Sequence, residues 1–314
     1  MITLEHLDDW KRKAILTGEQ HDTLSGLVRK DRLSVFLELN ALLYIGVLSL
    51  AAGIAWTVAE HFTQLNDAVI VGSLTLVFAA CVYYCFSKGL PYSHQSVESP
   101  TFVFDYVLYF ACLVLATELG YIESRFEFLR DAWDYYLLFT SAVFFLFAYR
   151  FDNRFVLSLA LSTLAGWFGL KVSRFGFTST DSLRFSAHVY AGLTAAMGTM
   201  LYRSGIKPHF LETYLHVAAN AVFIAEVSAL FSRSSEWIYF VLLLAFSIAA
   251  VLLGIRFRRF AFVVYGIVYG YIGLSIELLR GVSDTTAVLV YIVVSGIAVV
   301  LVISMLARQI GREE

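Results

Sequence analysis

The sequence predicts an all-α membrane protein, a polytopic bundle of about ten transmembrane helices behind a short N-terminal helical hairpin. Two observations predict this class. Hydrophobic residues make up 59% of the chain and charged residues 15%, against roughly 45–50% and about 25% in soluble domains. The hydrophobic residues also fall into ten runs, each near the roughly 20 residues that a helix needs to cross the hydrocarbon core. We therefore expect a lipid bilayer to solvate the apolar surface of these helices.

The N-terminal region, residues 1–36, is polar and charged and is expected to form a cytoplasmic amphipathic helical hairpin. Apolar residues recur at helical spacing in its first half, and Thr17 with Gln20 three residues later is typical of a capping box that begins a second helix. Its basic residues would face anionic headgroups, and the hairpin offers a surface for a protein partner. Residues 37–314 form the second predicted domain, the transmembrane bundle.

The ten apolar runs follow one another with short polar segments between them. We place the helices at about 39–60, 67–87, 101–121, 132–149, 154–170, 185–203, 211–231, 236–255, 260–279 and 286–307. Only residues 149–154 separate the fourth run from the fifth. A continuous helix there would bury two arginines and an aspartate in lipid, so we predict a tight turn.

The distribution of lysine and arginine predicts the orientation. Sixteen of the 23 basic residues fall on segments that share a side with the N-terminus. The strongest group is residues 256–259, whereas Lys171, Arg174 and Arg184 on the other side work against the bias. Because cytoplasmic loops carry the excess of lysine and arginine, we expect both termini in the cytoplasm.

Motifs of soluble enzymes are absent from the sequence: it contains no His-Glu-x-x-His, no Gly-x-Ser-x-Gly and no P-loop. The net charge of -2 gives no indication of a nucleic-acid partner. The three cysteines, Cys81, Cys85 and Cys112, all lie in apolar runs without a Cys-x-x-Cys pair, so we expect buried free thiols. The pattern predicts no metal site and indicates no cofactor.

Polar residues inside apolar runs are the candidates for function, because an acid at a helix centre costs roughly 2.5–3.5 kcal/mol on insertion scales. The run at 211–231 is the most polar. Its Glu226 lies roughly 7 Å from the outer end at about 1.5 Å per residue, so we expect it to face the bundle interior with Glu118 or Glu277 beside it. The candidate substrate- or ion-binding residues are Glu226, Glu118, Glu277, His188, Asn220, His216 and Asp105.

Six of the polar residues are expected toward the outer side, where they would form an acidic pocket with two histidines. They are Glu60, His61, Glu118, His188, Glu226 and Glu277. Such a pocket suits a cation, a proton relay or a polar headgroup. Plainer interpretations stay open. The glutamates would then be interfacial and pair with outer arginines, Asn220 and His216 would make interhelical hydrogen bonds, and Asp105 would pair with an inner arginine.

Small residues in the ninth run predict a close helix–helix contact. Gly266 and Gly270 are spaced four apart, and Gly273 continues the same face. This small-xxx-small pattern lets two backbones approach in a membrane, so we predict a packing seam there and not a ligand site.

A resemblance to a known family rests on two stretches. Residues 14–24, Ala-Ile-Leu-Thr-Gly-Glu-Gln-His-Asp-Thr-Leu, resemble the soluble leader of a bacterial membrane family, domain of unknown function 2157. Residues 44–50, Tyr-Ile-Gly-Val-Leu-Ser-Leu, are similar to the start of its first membrane helix. The chain departs from the family in carrying a glycine after Thr17 where members usually have one before the isoleucine. The resemblance implies a bundle in a bacterial inner membrane and transfers no catalytic residue.

Three functions remain as hypotheses, and the sequence names no substrate. The leading one is a transporter or flippase of a small polar or lipid-linked substrate, which expects an outer cavity. An intramembrane enzyme using Glu226 and His188 expects these side chains within hydrogen-bond reach, about 3 Å. A non-catalytic sensor or assembly partner expects a packed bundle with no sizeable cavity.

Overall fold

The computed structural model describes residues 66–129, 134–174, 180–231 and 237–312, together with a few isolated positions before residue 66. These ranges form nine α-helices within one compact unit, which covers residues 61–313. The helices are α1 (Asp67–Lys88), α2 (Phe102–Phe126), α3 (Asp134–Phe151), α4 (Arg154–Arg174), α5 (Thr180–Arg203), α6 (Leu211–Leu230), α7 (Trp237–Arg256), α8 (Phe260–Leu279) and α9 (Thr285–Arg312). A short 3₁₀ turn, Pro208–Phe210, leads into α6. The predicted all-α class is confirmed.

Six of these helices are long and apolar enough to cross a membrane, namely α1, α2, α6, α7, α8 and α9. Nine of the ten predicted runs coincide with helices of the structure. The first run, at 39–60, and the hairpin of residues 1–36 fall almost entirely outside the described residues. The count of ten helices, the hairpin and its protein partner therefore stay predictions.

The tight turn between the fourth and fifth runs is confirmed. Helix α3 ends at Phe151 and α4 begins at Arg154, with only two residues between them. Asp152 turns the chain with a positive φ of 56°, a left-handed conformation in which Asn and Asp are enriched. The Asn153 side chain then accepts a hydrogen bond of 3.0 Å from the Val156 N–H, which caps the start of α4.

Consecutive helices pack as pairs, because short connections bring neighbours in the chain together in space. The pairs are α1 with α2, α3 with α4, α5 with α6, and α7 with α8. Helix α6 holds the central place and also packs against α4, α7 and α8. Polar residues on α6 are therefore placed where side chains from four helices can reach them.

The predicted glycine seam is confirmed between α7 and α8. A Cβ added to Gly266 would overlap the Ser247 carbonyl oxygen, and one added to Gly273 would overlap the Leu243 side chain. Only glycine leaves room for the facing backbone here, so the spacing serves packing.

The cysteines are free, as the sequence predicts. Cys85 and Cys112 are buried in the main hydrophobic cluster with Phe104, Phe147 and Phe151, and Cys81 is partly buried. They act as small apolar side chains in this cluster.

Candidate functional site

A cleft of about 390 Å³ lies between α4, α5 and α6. This volume falls within the roughly 300–1,000 Å³ that ligand sites occupy. The cleft exists because small residues line it: α4, α5 and α6 each contribute alanine or glycine to its wall. The small and apolar lining residues are Ala165, Phe168, Gly169, Leu183, Ala187, Tyr190, Ala221, Ile224 and Ala225. Its lining contains no acidic residue, so it differs in character from the acidic pocket that the sequence predicts.

Arg184 places a positive charge in the wall of this cleft. Its side chain is only 5% exposed and is held by α6: Nη2 donates to the Ser228 carbonyl oxygen at 3.1 Å and Nε to the Ser228 Oγ at 3.4 Å. The guanidinium also lies 5.5 Å from the ring centroid of Tyr239 on α7. The lining of the cleft is thus largely apolar and includes one cationic side chain, that of Arg184.

A polar pair lies next to the cleft lining in the chain, because Ala187 and Ala225 line the cleft and directly precede His188 and Glu226. His188, one turn along α5 from Arg184, brings Nε2 to 2.7 Å from Glu226 Oε1 on α6. Its other ring nitrogen, Nδ1, is 2.7 Å from the Arg184 carbonyl oxygen. Glu226 is fully buried, as its depth in the sequence predicts, and its Oε2 has no hydrogen-bond partner among the described residues. The structure therefore brings two of the candidate residues together.

The other candidate glutamates have different partners. Glu118 on α2 accepts a hydrogen bond of 2.5 Å from the Thr75 hydroxyl on α1, and Glu277 on α8 pairs with Arg280 at 3.0 Å. Neither makes a hydrogen bond with Glu226. Glu60 and His61 lie outside the described residues, so their predicted place in an outer pocket stays a prediction.

The remaining candidates make contacts that hold helices together. Asn220 on α6 accepts a hydrogen bond of 2.9 Å from the Tyr269 hydroxyl on α8. His216 stacks on Phe262, also on α8, with ring centroids 4.7 Å apart. Asn220 matches the plainer interpretation of an interhelical hydrogen bond, whereas His216 makes an interhelical stacking contact instead of a hydrogen bond.

Asp105 also has a structural place. Its Oδ1 accepts hydrogen bonds from the Ser99 hydroxyl at 2.7 Å and from the Asn153 amide at 2.9 Å. The sequence suggests an arginine as the alternative partner, whereas the structure supplies a hydroxyl and an amide. This contact ties the start of α2 to the turn between α3 and α4.

A buried polar cluster at the other end of α6 escapes the sequence reasoning. Lys207 Nζ lies 3.2 Å from Asp152 Oδ2, and His209 Nε2 lies 2.6 Å from Asp152 Oδ1. The Val97 N–H donates a further hydrogen bond to Asp152 Oδ2. Lys207 is 1% exposed, and its Nζ also donates to the Gln95 carbonyl oxygen at 3.2 Å. We call Asp152, Lys207 and His209 the loop-end cluster.

The loop-end cluster fastens the segment between α1 and α2 to two other connections. Asp152 belongs to the turn between α3 and α4, and Lys207 to the connection between α5 and α6. The Lys207 backbone N–H donates to the His94 carbonyl oxygen at 2.8 Å. No local pattern predicts this cluster, because Asp152 is far from Lys207 and His209 in the chain and all three lie in connections.

No group of three His, Cys, Asp or Glu side chains in the described part of the chain is arranged to share a metal ion.

Comparison with known proteins places the first part of the chain. Residues 8–157 match the model of a family described as "Predicted membrane protein (DUF2157)". This confirms the resemblance seen in residues 14–24 and 44–50 and extends it through α3 to the beginning of α4. No curated protein and no solved structure matches the chain. The loop-end residue Asp152 lies inside the matched region, whereas every residue that lines the cleft lies beyond it.

Proposed function

We propose that this multi-pass membrane protein, which matches the family of domain of unknown function 2157 over residues 8–157, moves a lipid or lipid-linked substrate across a bacterial inner membrane. The cleft between α4, α5 and α6 is the observation that carries the proposal. Its apolar walls would hold an acyl chain, and Arg184 would attract an anionic headgroup. With both termini in the cytoplasm, the Arg184 end of the cleft faces the outer leaflet.

The lining favours a lipid over a small polar solute. Most of the cleft surface comes from alanine, glycine, leucine, isoleucine and phenylalanine. A polar solute would give up hydrogen bonds to water without replacement there, at a cost of about 1–3 kcal/mol per group. An acyl chain gives up none. The cation in the wall adds a preference for a headgroup with a net negative charge over a zwitterionic one.

The sensor hypothesis is less well supported, because it expects a packed bundle and the cleft measures about 390 Å³. The enzyme hypothesis gains one observation, since His188 and Glu226 lie within the expected reach at 2.7 Å. The enzyme hypothesis is weakened because the hydroxyl groups in the cleft, the candidate nucleophiles, are already engaged in hydrogen bonds. The cleft hydroxyls of Tyr190, Ser186 and Ser228 all donate to backbone carbonyl oxygens, at 2.6, 2.7 and 2.7 Å. Proton transfer on a bound lipid therefore remains the second candidate.

Filling the cleft tests the proposal. The purified protein in proteoliposomes is expected to accelerate the exchange of fluorescent NBD-phosphatidylglycerol between leaflets, measured by dithionite quenching, and to act less on NBD-phosphatidylcholine. Gly169→Phe projects a ring into the cleft and is expected to abolish this exchange. Gly72→Phe on α1 is the matched control, because both glycines have open space where a Cβ would lie and Gly72 does not line the cleft.

Two results would overturn the proposal. One is a wild-type protein that neither binds nor exchanges either lipid. The other is an exchange that Gly169→Phe and Gly72→Phe reduce equally, because that would make the cleft irrelevant to lipid movement.

A further inference from the structure

The geometry points to a proton-binding site next to the cleft lining: we infer that His188 and Glu226 hold one exchangeable proton between them, and that its release and rebinding accompany lipid movement. This inference rests on the proposed function, and it names what drives or regulates the cleft.

The hydrogen bonds of His188 and Glu226 determine how many protons the pair carries. A backbone carbonyl oxygen only accepts, so the contact of 2.7 Å between His188 Nδ1 and the Arg184 carbonyl requires a hydrogen on Nδ1. A neutral imidazole then has a bare lone pair on Nε2. The contact of 2.7 Å between Nε2 and Glu226 Oε1 needs a hydrogen between these atoms. The pair therefore carries one proton beyond Nδ1–H, either as imidazolium with carboxylate or as imidazole with carboxylic acid.

Loss of that proton breaks the contact. Two lone pairs would then face each other across the distance that the hydrogen bond now spans, and a fully buried carboxylate would have neither oxygen paired. A buried charge without a partner is costly enough that the surroundings must rearrange to hydrate it or pair it. The pair is therefore a two-state element, closed with the proton and open without it.

The position of the pair connects this element to the cleft. Ala187 and Ala225 line the cleft and directly precede His188 and Glu226 in the chain. The His188 side chain is 28% exposed, whereas that of Glu226 is fully buried. A proton thus reaches Glu226 through His188, and separation of the two side chains would shift α5 against α6 along the wall of the cleft.

Other charged groups at this end have partners of their own. Arg184 on α5 is held by Ser228 and stacks on Tyr239 of α7. On α4, Lys171 lies 3.7 Å from Asp134. On α8, Glu277 pairs with Arg280, whose guanidinium also donates to the Leu230 carbonyl oxygen. Among the described side chains, His188 is the titratable group in hydrogen-bond contact with Glu226.

The exchange of NBD-phosphatidylglycerol as a function of pH tests this inference. For the wild type we expect a limb on which the rate changes by about tenfold per pH unit, as one essential proton requires. Glu226→Gln is the informative variant, because its amide donates to Nε2 and keeps the hydrogen bond without a titratable proton. It is expected to bind the lipid, to exchange it at least about tenfold more slowly, and to lose the pH dependence.

Glu277→Gln is the matched control, since it removes a carboxylate at the same end of the neighbouring helix and is expected to keep the pH dependence. His188→Gln removes the other member of the pair and provides a second route to the same result should Glu226→Gln not yield folded protein. A pH limb that survives in both Glu226→Gln and His188→Gln overturns the inference.

The two proposals fail in distinguishable ways. Lipid exchange that Gly169→Phe blocks but that does not depend on pH overturns the proton site and leaves the cleft intact. Absence of any lipid binding or exchange by the wild type overturns the cleft itself.

Discussion

Two buried carboxylates at opposite ends of α6 are held in different ways. Asp152, in the loop-end cluster, forms an ion pair with Lys207 and contacts His209. It also accepts a hydrogen bond from a backbone N–H. Glu226 has one partner, His188, and one oxygen without any among the described residues. Both side chains are nearly or fully inaccessible, at 2% and 0% exposure.

The difference indicates different roles. A buried polar group whose partners are complete contributes to a fixed structure, because every alternative arrangement would leave a charge unpaired. A buried group with a vacant acceptor keeps a cost that a fully paired arrangement would remove. We therefore regard the loop-end cluster as structural and the His188–Glu226 pair as the functional candidate.

The largest effect is expected from Lys207→Met, which breaks the structural cluster. The change keeps most of the side-chain volume but removes the lysine partner of the buried Asp152, so we expect a loss of roughly 3–5 kcal/mol in the free energy of unfolding. Thermal or denaturant unfolding of the protein in detergent measures it. Lys88→Met, at an exposed lysine on α1, is the control and is expected to change stability by less than about 0.5 kcal/mol. Equal effects of the two changes on stability would mean that the loop-end cluster does not stabilise the fold.

A smaller effect on stability is expected from Glu226→Gln. His188 has a neutral form that accepts a hydrogen bond from the introduced amide, so no charge is left stranded and the loss is expected to stay below about 1 kcal/mol. The same unfolding measurement applies. A loss as large as that for Lys207→Met would mean that the pair is a permanent ion pair that does not give up its proton, and it would then be structural like the loop-end cluster.

The sequence predicts the helices well because the bilayer sets their length. The turn after Phe151 was predictable because the alternative would bury Arg150 and Arg154 in lipid, and the glycine seam because a spacing of four places small residues on one face. The burial of Glu226 followed from its depth. These are properties of single segments, which a linear sequence contains.

Partners between segments were not predictable in the same way. The sequence leads us to expect a carboxylate, Glu118 or Glu277, beside Glu226, whereas the hydrogen-bond partner that the structure gives Glu226 is His188. Helix depth sets the level of a side chain in the membrane, but it does not say which helix packs beside α6. The loop-end cluster is not predicted for a related reason: Asp152 and Lys207 lie in separate connections, where both adopt positive φ angles, of 56° and 47°, and a sequence pattern gives connections as exposed.

The last prediction concerns which end of α6 faces the outside, and it involves no change in stability. Three helices, α6, α7 and α8, separate Ser204 from Ser283, and both serines are exposed in connections. If all three cross the bilayer, the two positions lie on opposite sides. In a Cys81→Ala background, an impermeant maleimide added to intact cells is expected to label Ser283→Cys. It should label Ser204→Cys only after the membrane is permeabilised.

That result places His188 and Glu226 in the outer half and the loop-end cluster on the cytoplasmic side. The reverse pattern inverts the protein, so that the proton would enter from the cytoplasm. Labelling of both positions from outside would mean that an even number of these helices cross, which contradicts the three predicted crossings.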